Sequence, residues 1–162
     1  MDNKKTRKID YGWIMILLLG CFLMFFVMAK VSGQSMDPTL QEGDLLFTQK
    51  HLLNIERGDI VVFRTPDIDR LLIKRVIGLP GDSIVIKDGT VEVNGVQIDE
   101  PYILEDFTSG YFEGVIPDNN YFVMGDNRQN SLDSRESIVG TVSRDRIIAK
   151  VLFRINPNFR FF

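Results

Sequence analysis

Two kinds of side chain in this sequence could carry covalent chemistry: serines in a turn, and a lysine inside an apolar run. The stretch VSGQSMDPTL at 31–40 holds Ser32 and Ser35 beside a glycine and a proline, directly after an apolar segment. A serine hydroxyl becomes a nucleophile only when a base takes its proton. The usual base is histidine, and the chain has one, His51, in QKHLLN beside Lys50, where a solvated turn is expected. Lysine is the alternative, provided it is neutral. At a reference pKa of about 10.4, about one lysine in 2,500 is neutral at pH 7. Lowering the pKa to about 8 raises that to about one in ten and corresponds to roughly 3 kcal/mol. Burial in apolar surroundings supplies shifts of this size, because desolvation disfavours the charged amine.

Most lysines lie in polar settings: Lys4, Lys5 and Lys8 at the terminus, Lys50 by a turn, Lys87 before Asp88-Gly89. Lys74 differs, lying within Leu71-Leu72-Ile73-Lys74-Arg75-Val76-Ile77. On a strand, residues two apart share a face, so Lys74 would lie with Leu72 and Val76, and Arg75 with Ile73 and Ile77. That is the setting of a low-pKa base. It is more often that of a lysine whose stem lies on apolar surface while its head reaches water. Lys150, in IIAKVLF, has a similar setting, so spacing does not choose between the two. A third stretch, MGDNRQNSLDSR at 124–135, is rich in acids, amides and hydroxyls and by itself reads as a surface loop.

These groups need a scaffold. Beyond Lys30 the sequence is a series of short runs rich in Val, Ile, Leu and Phe, separated by Gly, Pro, Asp and Asn, which predicts a mainly β, antiparallel domain. Residues 83–98 predict a three-stranded meander, with Asp88-Gly89 and Asn94-Gly95 in type I′ turn positions. Residues 105–120, EDFTSGYFEGVIPDNN, read as an irregular loop. The stretch from about 82 to 120 has the character of a smaller β region inserted in a larger sheet.

Ahead of this domain, Tyr11 to Ala29 is nineteen residues without a charge, bracketed by Asp10 and Lys30. At about 1.5 Å per residue a helix of this length covers roughly the 30 Å of a bilayer core. The expectation is a basic cytoplasmic segment at 1–10, a single transmembrane helix at 11–30 and an extracytoplasmic domain at 31–162. Lys4, Lys5, Arg7 and Lys8 hold the N-terminus on the cytoplasmic side. A cleaved signal peptide fits less well, since its apolar core is shorter and ends in a small-x-small site. The aromatic tail NPNFRFF suits packing on the core or contact with the bilayer interface, and the sequence leaves that open.

The formal net charge of −3 argues against a broad nucleic-acid footprint. One cysteine, Cys21, allows no intrachain disulfide, and a single histidine excludes a clustered-histidine zinc site, so no cofactor or metal is expected.

Taken together, three stretches resemble the bacterial type I signal peptidases. SGQSMDPTL at 32–40 resembles their serine box, LIKRVIGLPGD at 72–82 their lysine box, and MGDNRQNSLDSR at 124–135 their third signature, in the family's order. The resemblance implies a membrane-bound endopeptidase that removes signal peptides from exported preproteins with small residues at positions −1 and −3. It implies Ser35 as nucleophile, Lys74 as general base, and Ser131 as the hydroxyl that orients the lysine amine. Asp126, Asp133 and Arg135 would hold the site together, with Arg75 a partner for Asp126. The Ser35 N–H would donate to the oxyanion. Some family members add a serine hydroxyl two residues earlier; here that position is Gly33, which leaves the second donor open. The resemblance also implies a mostly antiparallel β fold with a smaller region between the second and third boxes. Two other readings are a dedicated processing peptidase for pilus or conjugation proteins and a non-catalytic scaffold. Loss of Ser35 or Lys74 would mark the scaffold, and both are present.

Overall fold

A computed structural model describes residues 11–50, 54–156 and 158–162. His51 and the basic segment at 1–10 lie outside the described residues. The expected helix is shorter than the apolar run that encodes it: α1 covers Tyr11–Phe25, and Phe26–Lys30 is strand β1. Fifteen residues span about 22 Å. No helix among the described residues is long and apolar enough to cross a membrane, which corrects the expectation of a helix through residue 30. The physical reason is competition. An apolar run without polar punctuation suits helix or strand, and here its last five residues pair antiparallel with β2, from Phe26↔Gln49 to Lys30↔Leu45.

The remaining strands are β2 (Leu45–Lys50), β3 (Ile60–Thr65), β4 (Ile68–Gly78), β5 (Ser83–Lys87), β6 (Thr90–Val93), β7 (Val96–Gln97), β8 (Phe112–Val115), β9 (Asn120–Met124), β10 (Val142–Ser143), β11 (Ile147–Asn156) and β12 (Arg160–Phe161). The large sheet runs β1-β2-β11-β3-β4-β9-β10, with β12 paired to β11. The small sheet runs β7-β6-β5-β8 and lies in sequence between β4 and β9. The predicted meander is present as β5, β6 and β7. Both turns have positive φ at both central residues, 52° and 85° at Asp88-Gly89 and 54° and 76° at Asn94-Gly95, as type I′ requires. The expectation of an unbroken loop at 105–120 is corrected by β8, whose FEGV pairs with β5. Its alternate residues are exposed and a glycine interrupts it, so its periodicity is faint in sequence.

One apolar cluster forms on the β3–β4–β9 face, from Val61, Phe63, Leu72, Val76 and Val123 among others. A second gathers Val31, Met36 and Leu40 of the serine turn with Leu46, Ile60, Val62, Ala149 and Val151. A third joins the two sheets, with Ile84, Ile86, Val91 and Val93 against Ile77, Phe122 and Met124. The C-terminal tail packs back on the domain: β12 pairs with β11, and Phe159 and Phe161 contact the Phe153 ring.

Candidate active site

The serine turn is held at its root and its tip. At the root, the Val31 N–H donates to the Asp44 carbonyl and the Gly43 N–H to that of Val31. At the tip, Met36 and Leu40 are buried in the second cluster, and the Leu40 N–H closes a turn on the Met36 carbonyl. Met36 is thus a packing residue. Ser35 sits between these fixed points, half-buried on the wall of a cleft of about 600 Å³. Ser32, Gly33, Leu71, Leu72, Ile73 and Lys74 also line the cleft.

Lys74 reaches the site from β4. It faces the same way as Leu72 and Val76, both buried, as strand alternation predicts. Its residue exposure is 2 %, and its Nζ lies 2.6 Å from Ser35 Oγ. The amine also donates to the Ile73 carbonyl at 2.8 Å. Among the described residues it forms no ion pair. Burial lowers its pKa to about 8 by desolvating the charged form. The Asp133 and Asp126 carboxylates oppose that shift, and the Arg70 and Arg135 guanidinium groups add to it.

Around this pair the third stretch forms a polar brace. Arg75, on the opposite face of β4, makes a forked contact with Asp126, at 2.9 Å from Nε and 2.6 Å from Nη2, and donates to the Gly58 carbonyl at 2.8 Å. Asp133 is fully buried. It accepts from Arg135 Nε at 2.8 Å, from Nη2 at 2.9 Å and from the Gly125 N–H at 2.9 Å. The Ser131 hydroxyl is buried without a hydrogen-bond partner among the described residues. It lies against Gly125, where an added Cβ would stand 2.2 Å from Ser131 Oγ and 2.3 Å from the Ser35 carbonyl oxygen. Gly33 has φ +92° and open space where a Cβ would go.

The expected Ser35, Lys74, Ser131, Asp126, Asp133, Arg75 and Arg135 therefore gather in one region. Lys150 does not join them; its amine pairs with Asp59 at 2.7 Å. Residues that sequence reasoning passed over also belong here. The Asn127 N–H donates to the Ser35 carbonyl at 3.1 Å, and its side-chain amide donates to the Gln34 carbonyl at 3.1 Å. The signal for Gly125 and Asn127 was their place within the third stretch.

Comparison with known proteins places the chain in a family. The family model described as "Signal peptidase, peptidase S26" matches residues 8–156. Signal peptidase I of Bacillus licheniformis is 34% identical, over 96% of this chain and 95% of that protein. Signal peptidase I U of Bacillus subtilis (strain 168) is 39% identical, over 90% of this chain and 87% of the relative. Among solved structures, a signal peptidase I from Enterococcus faecalis V583 superposes with a TM-score of 0.52 at 32% identity, covering 59% of this chain and 94% of that one.

Proposed function

Because the chain belongs to the signal peptidase family, peptidase S26, and is a serine endopeptidase that removes signal peptides from preproteins, we propose that Ser35 and Lys74 carry its chemistry. One observation supports this above the others: an amine with no ion-pair partner among the described residues, buried among aliphatic side chains, lies 2.6 Å from a serine hydroxyl on a cleft wall. Neutral Lys74 takes the Ser35 proton as Oγ attacks the scissile carbonyl. The new amino terminus of the mature protein leaves with a proton from the same amine. The signal peptide remains as an ester on Ser35 until a water, deprotonated by Lys74, releases it. The Ser35 N–H donates to the developing oxyanion. In the same reading the Ser131 hydroxyl, which is not bonded to the amine in the resting site, turns onto it during the reaction and orients it, and Asp126, Asp133, Arg75 and Arg135 hold the surrounding turns. The cleft takes an extended exported chain whose residues −1 and −3 are small.

The anchor belongs to the same reading. The side chains of α1 from Tyr11 to Leu19 are apolar except at Gly12 and exposed all round, from 43% at Ile14 to 69% at Tyr11 and Trp13. An apolar helix with these side chains exposed suits a lipid environment. We assign it to a membrane anchor, although its 15 residues fall short of a bilayer core by themselves, with residues 1–10 cytoplasmic and the sheet domain, β1 included, extracytoplasmic. Residues 82–120 are the smaller β region of that domain.

The test is cleavage in detergent of a preprotein bearing an Ala-x-Ala site, comparing the parent with Ser35→Ala and Lys74→Ala. Cleavage by either variant at the parent's rate would overturn the assignment. Recovery of the protein in the soluble fraction after alkaline extraction of membranes would overturn the anchor.

A further inference from the structure

The loop that braces Ser35 is tied to the small sheet by an ion pair that the reaction does not use. Arg128 makes a forked contact with Glu100, Nη1 at 2.7 Å and Nη2 at 2.5 Å from the two carboxylate oxygens. Both side chains are out of solvent, at 1% and 7% exposure. Arg128 Nη1 also donates to Thr108 Oγ1 at 2.5 Å, and Nε to the Gly125 carbonyl at 3.0 Å. Glu100 accepts from the Tyr102 hydroxyl at 2.7 Å. The Tyr102 ring in turn lies 4.1 Å from the centre of the Arg75 guanidinium group. Arg75 grips Asp126, two residues before Arg128, so the contacts close a ring: Arg128, Glu100, Tyr102, Arg75, Asp126.

A buried ion pair is a weak source of stability, because desolvating two charges offsets most of their attraction. What this one does is geometric. The ring fixes both ends of the turn from Gly125 to Arg128. Within that turn the Asn127 N–H holds the Ser35 carbonyl, and Gly125 abuts both the Ser35 carbonyl and the Ser131 hydroxyl with no space for a methyl group. We propose that Arg128, acting through Glu100 and Tyr102, is a positioning residue: the ring it closes sets the place of the Ser35 backbone, and so the alignment of the Ser35 hydroxyl with the Lys74 amine. This rests on the assignment of Ser35 and Lys74. It gives the small sheet a part in the reaction, since Glu100 and Tyr102 lie in the segment that leaves it after β7.

Arg128→Lys tests the proposal. Lysine keeps the charge opposite Glu100 but loses the planar fork that reaches Glu100 and the Gly125 carbonyl at once. A displacement of about 1 Å at a reacting group costs on the order of 100-fold. The expected result is a kcat lower by about 10- to 100-fold, KM within about 2-fold, and a pH midpoint of kcat/KM moved by at least about half a unit. The charges that act most on the Lys74 amine are Asp133, Asp126, Arg70 and Arg135, not Arg128, so a moved midpoint reports altered geometry. A folded variant with the parent's kcat and midpoint overturns the proposal. So does a kcat loss that merely follows the unfolded fraction with an unmoved midpoint. Should Arg128→Lys show no cooperative melt, Glu100→Gln probes the same link with less disturbance. It is expected to lower kcat by about 3- to 10-fold with a moved midpoint, and the parent's values overturn the proposal. Ser35→Ala runs alongside: if it cleaves like the parent, the nucleophile assignment has failed, whereas an inactive Ser35→Ala beside a fully active Arg128→Lys sinks only the ring.

Discussion

Lys74 and Lys150 sit on strands that flank β3, and both pair across it with Val61. In sequence their settings are nearly the same, Leu-Ile-Lys-Arg-Val against Ile-Ala-Lys-Val-Leu. In the fold they differ. Leu72 and Val76, on either side of Lys74, are buried, whereas Ile148 and Leu152 beside Lys150 are only half-buried. Lys150 reaches Asp59 at 2.7 Å and the Asn54 carbonyl at 3.5 Å, while its side chain stays 20% exposed. Lys74 has a hydroxyl and a carbonyl, and the carboxylates that act most on it, Asp126 and Asp133, are already engaged by Arg75 and Arg135. A lysine becomes a base when the fold removes water without supplying a counter-charge. Neighbouring apolar residues alone do not decide it.

The sharpest way to break this contrast is to remove each amine. Lys74→Met is expected to lower kcat/KM for preprotein cleavage by at least about 1,000-fold, as is Ser35→Ala, with Lys150→Met within about 2-fold of the parent. Comparable losses at positions 74 and 150 would erase the distinction. Next comes pH. In the proposed mechanism the working form of Lys74 is neutral, and burial lowers its pKa to about 8. The rate therefore rises tenfold per unit up to about pH 8 and levels above it, so pH 6 should lie about 100-fold below the plateau. A profile flat from pH 5 to 9 would remove Lys74 from the base role.

Stability gives the third comparison. The folded pKa of Lys74 is lowered from 10.5 to about 8, so between these values the unfolded chain binds more protons than the folded one. Below about pH 8 the buried amine destabilises the fold by about 3 kcal/mol, and the penalty fades as pH rises toward 10.5. Lys74→Met forfeits about 1 kcal/mol of hydrogen bonding, so it should be about 2 kcal/mol more stable than the parent at pH 7 and no more stable near pH 10.5. Denaturant titrations at the two pH values measure this, and a parent as stable as the variant at pH 7 would contradict it. The smallest effect is at Lys150. Its partly exposed pair is worth about 1 kcal/mol or less, so Lys150→Met should shift the denaturation midpoint only slightly.

Much of this was legible beforehand for reasons that are local. Alternation put Lys74 with Leu72 and Val76, and the Asp88-Gly89 and Asn94-Gly95 pairs marked hairpins, because two-residue periodicity and positive φ are encoded over a few residues. The break at Phe25 was not, since an uninterrupted apolar run lacks the periodicity that separates helix from strand. Strand β8 was hidden by its glycine and its exposed alternate positions. The Arg128–Glu100 pair joins residues 28 apart, and Tyr102 meets Arg75 only through the packing of one sheet on the other. Neither contact has a signature until topology exists. The choice between Lys74 and Lys150 is of this second kind, because Asp59 answers Lys150 from a different strand connection.

The break at Phe25 also has a mechanical side. Tension along α1 does not reach the serine turn through a slack connector. It enters β1, whose five residues each pair with a partner in β2. Only Val31 to Gln34 then separate that ladder from Ser35. If α1 is the anchor, the domain is held within a few residues of the proposed nucleophile, so a tug on the helix should leave the alignment of Ser35 and Lys74 intact until the β1–β2 ladder gives way. A force-spectroscopy trace that showed loss of activity before β1 detached would contradict this.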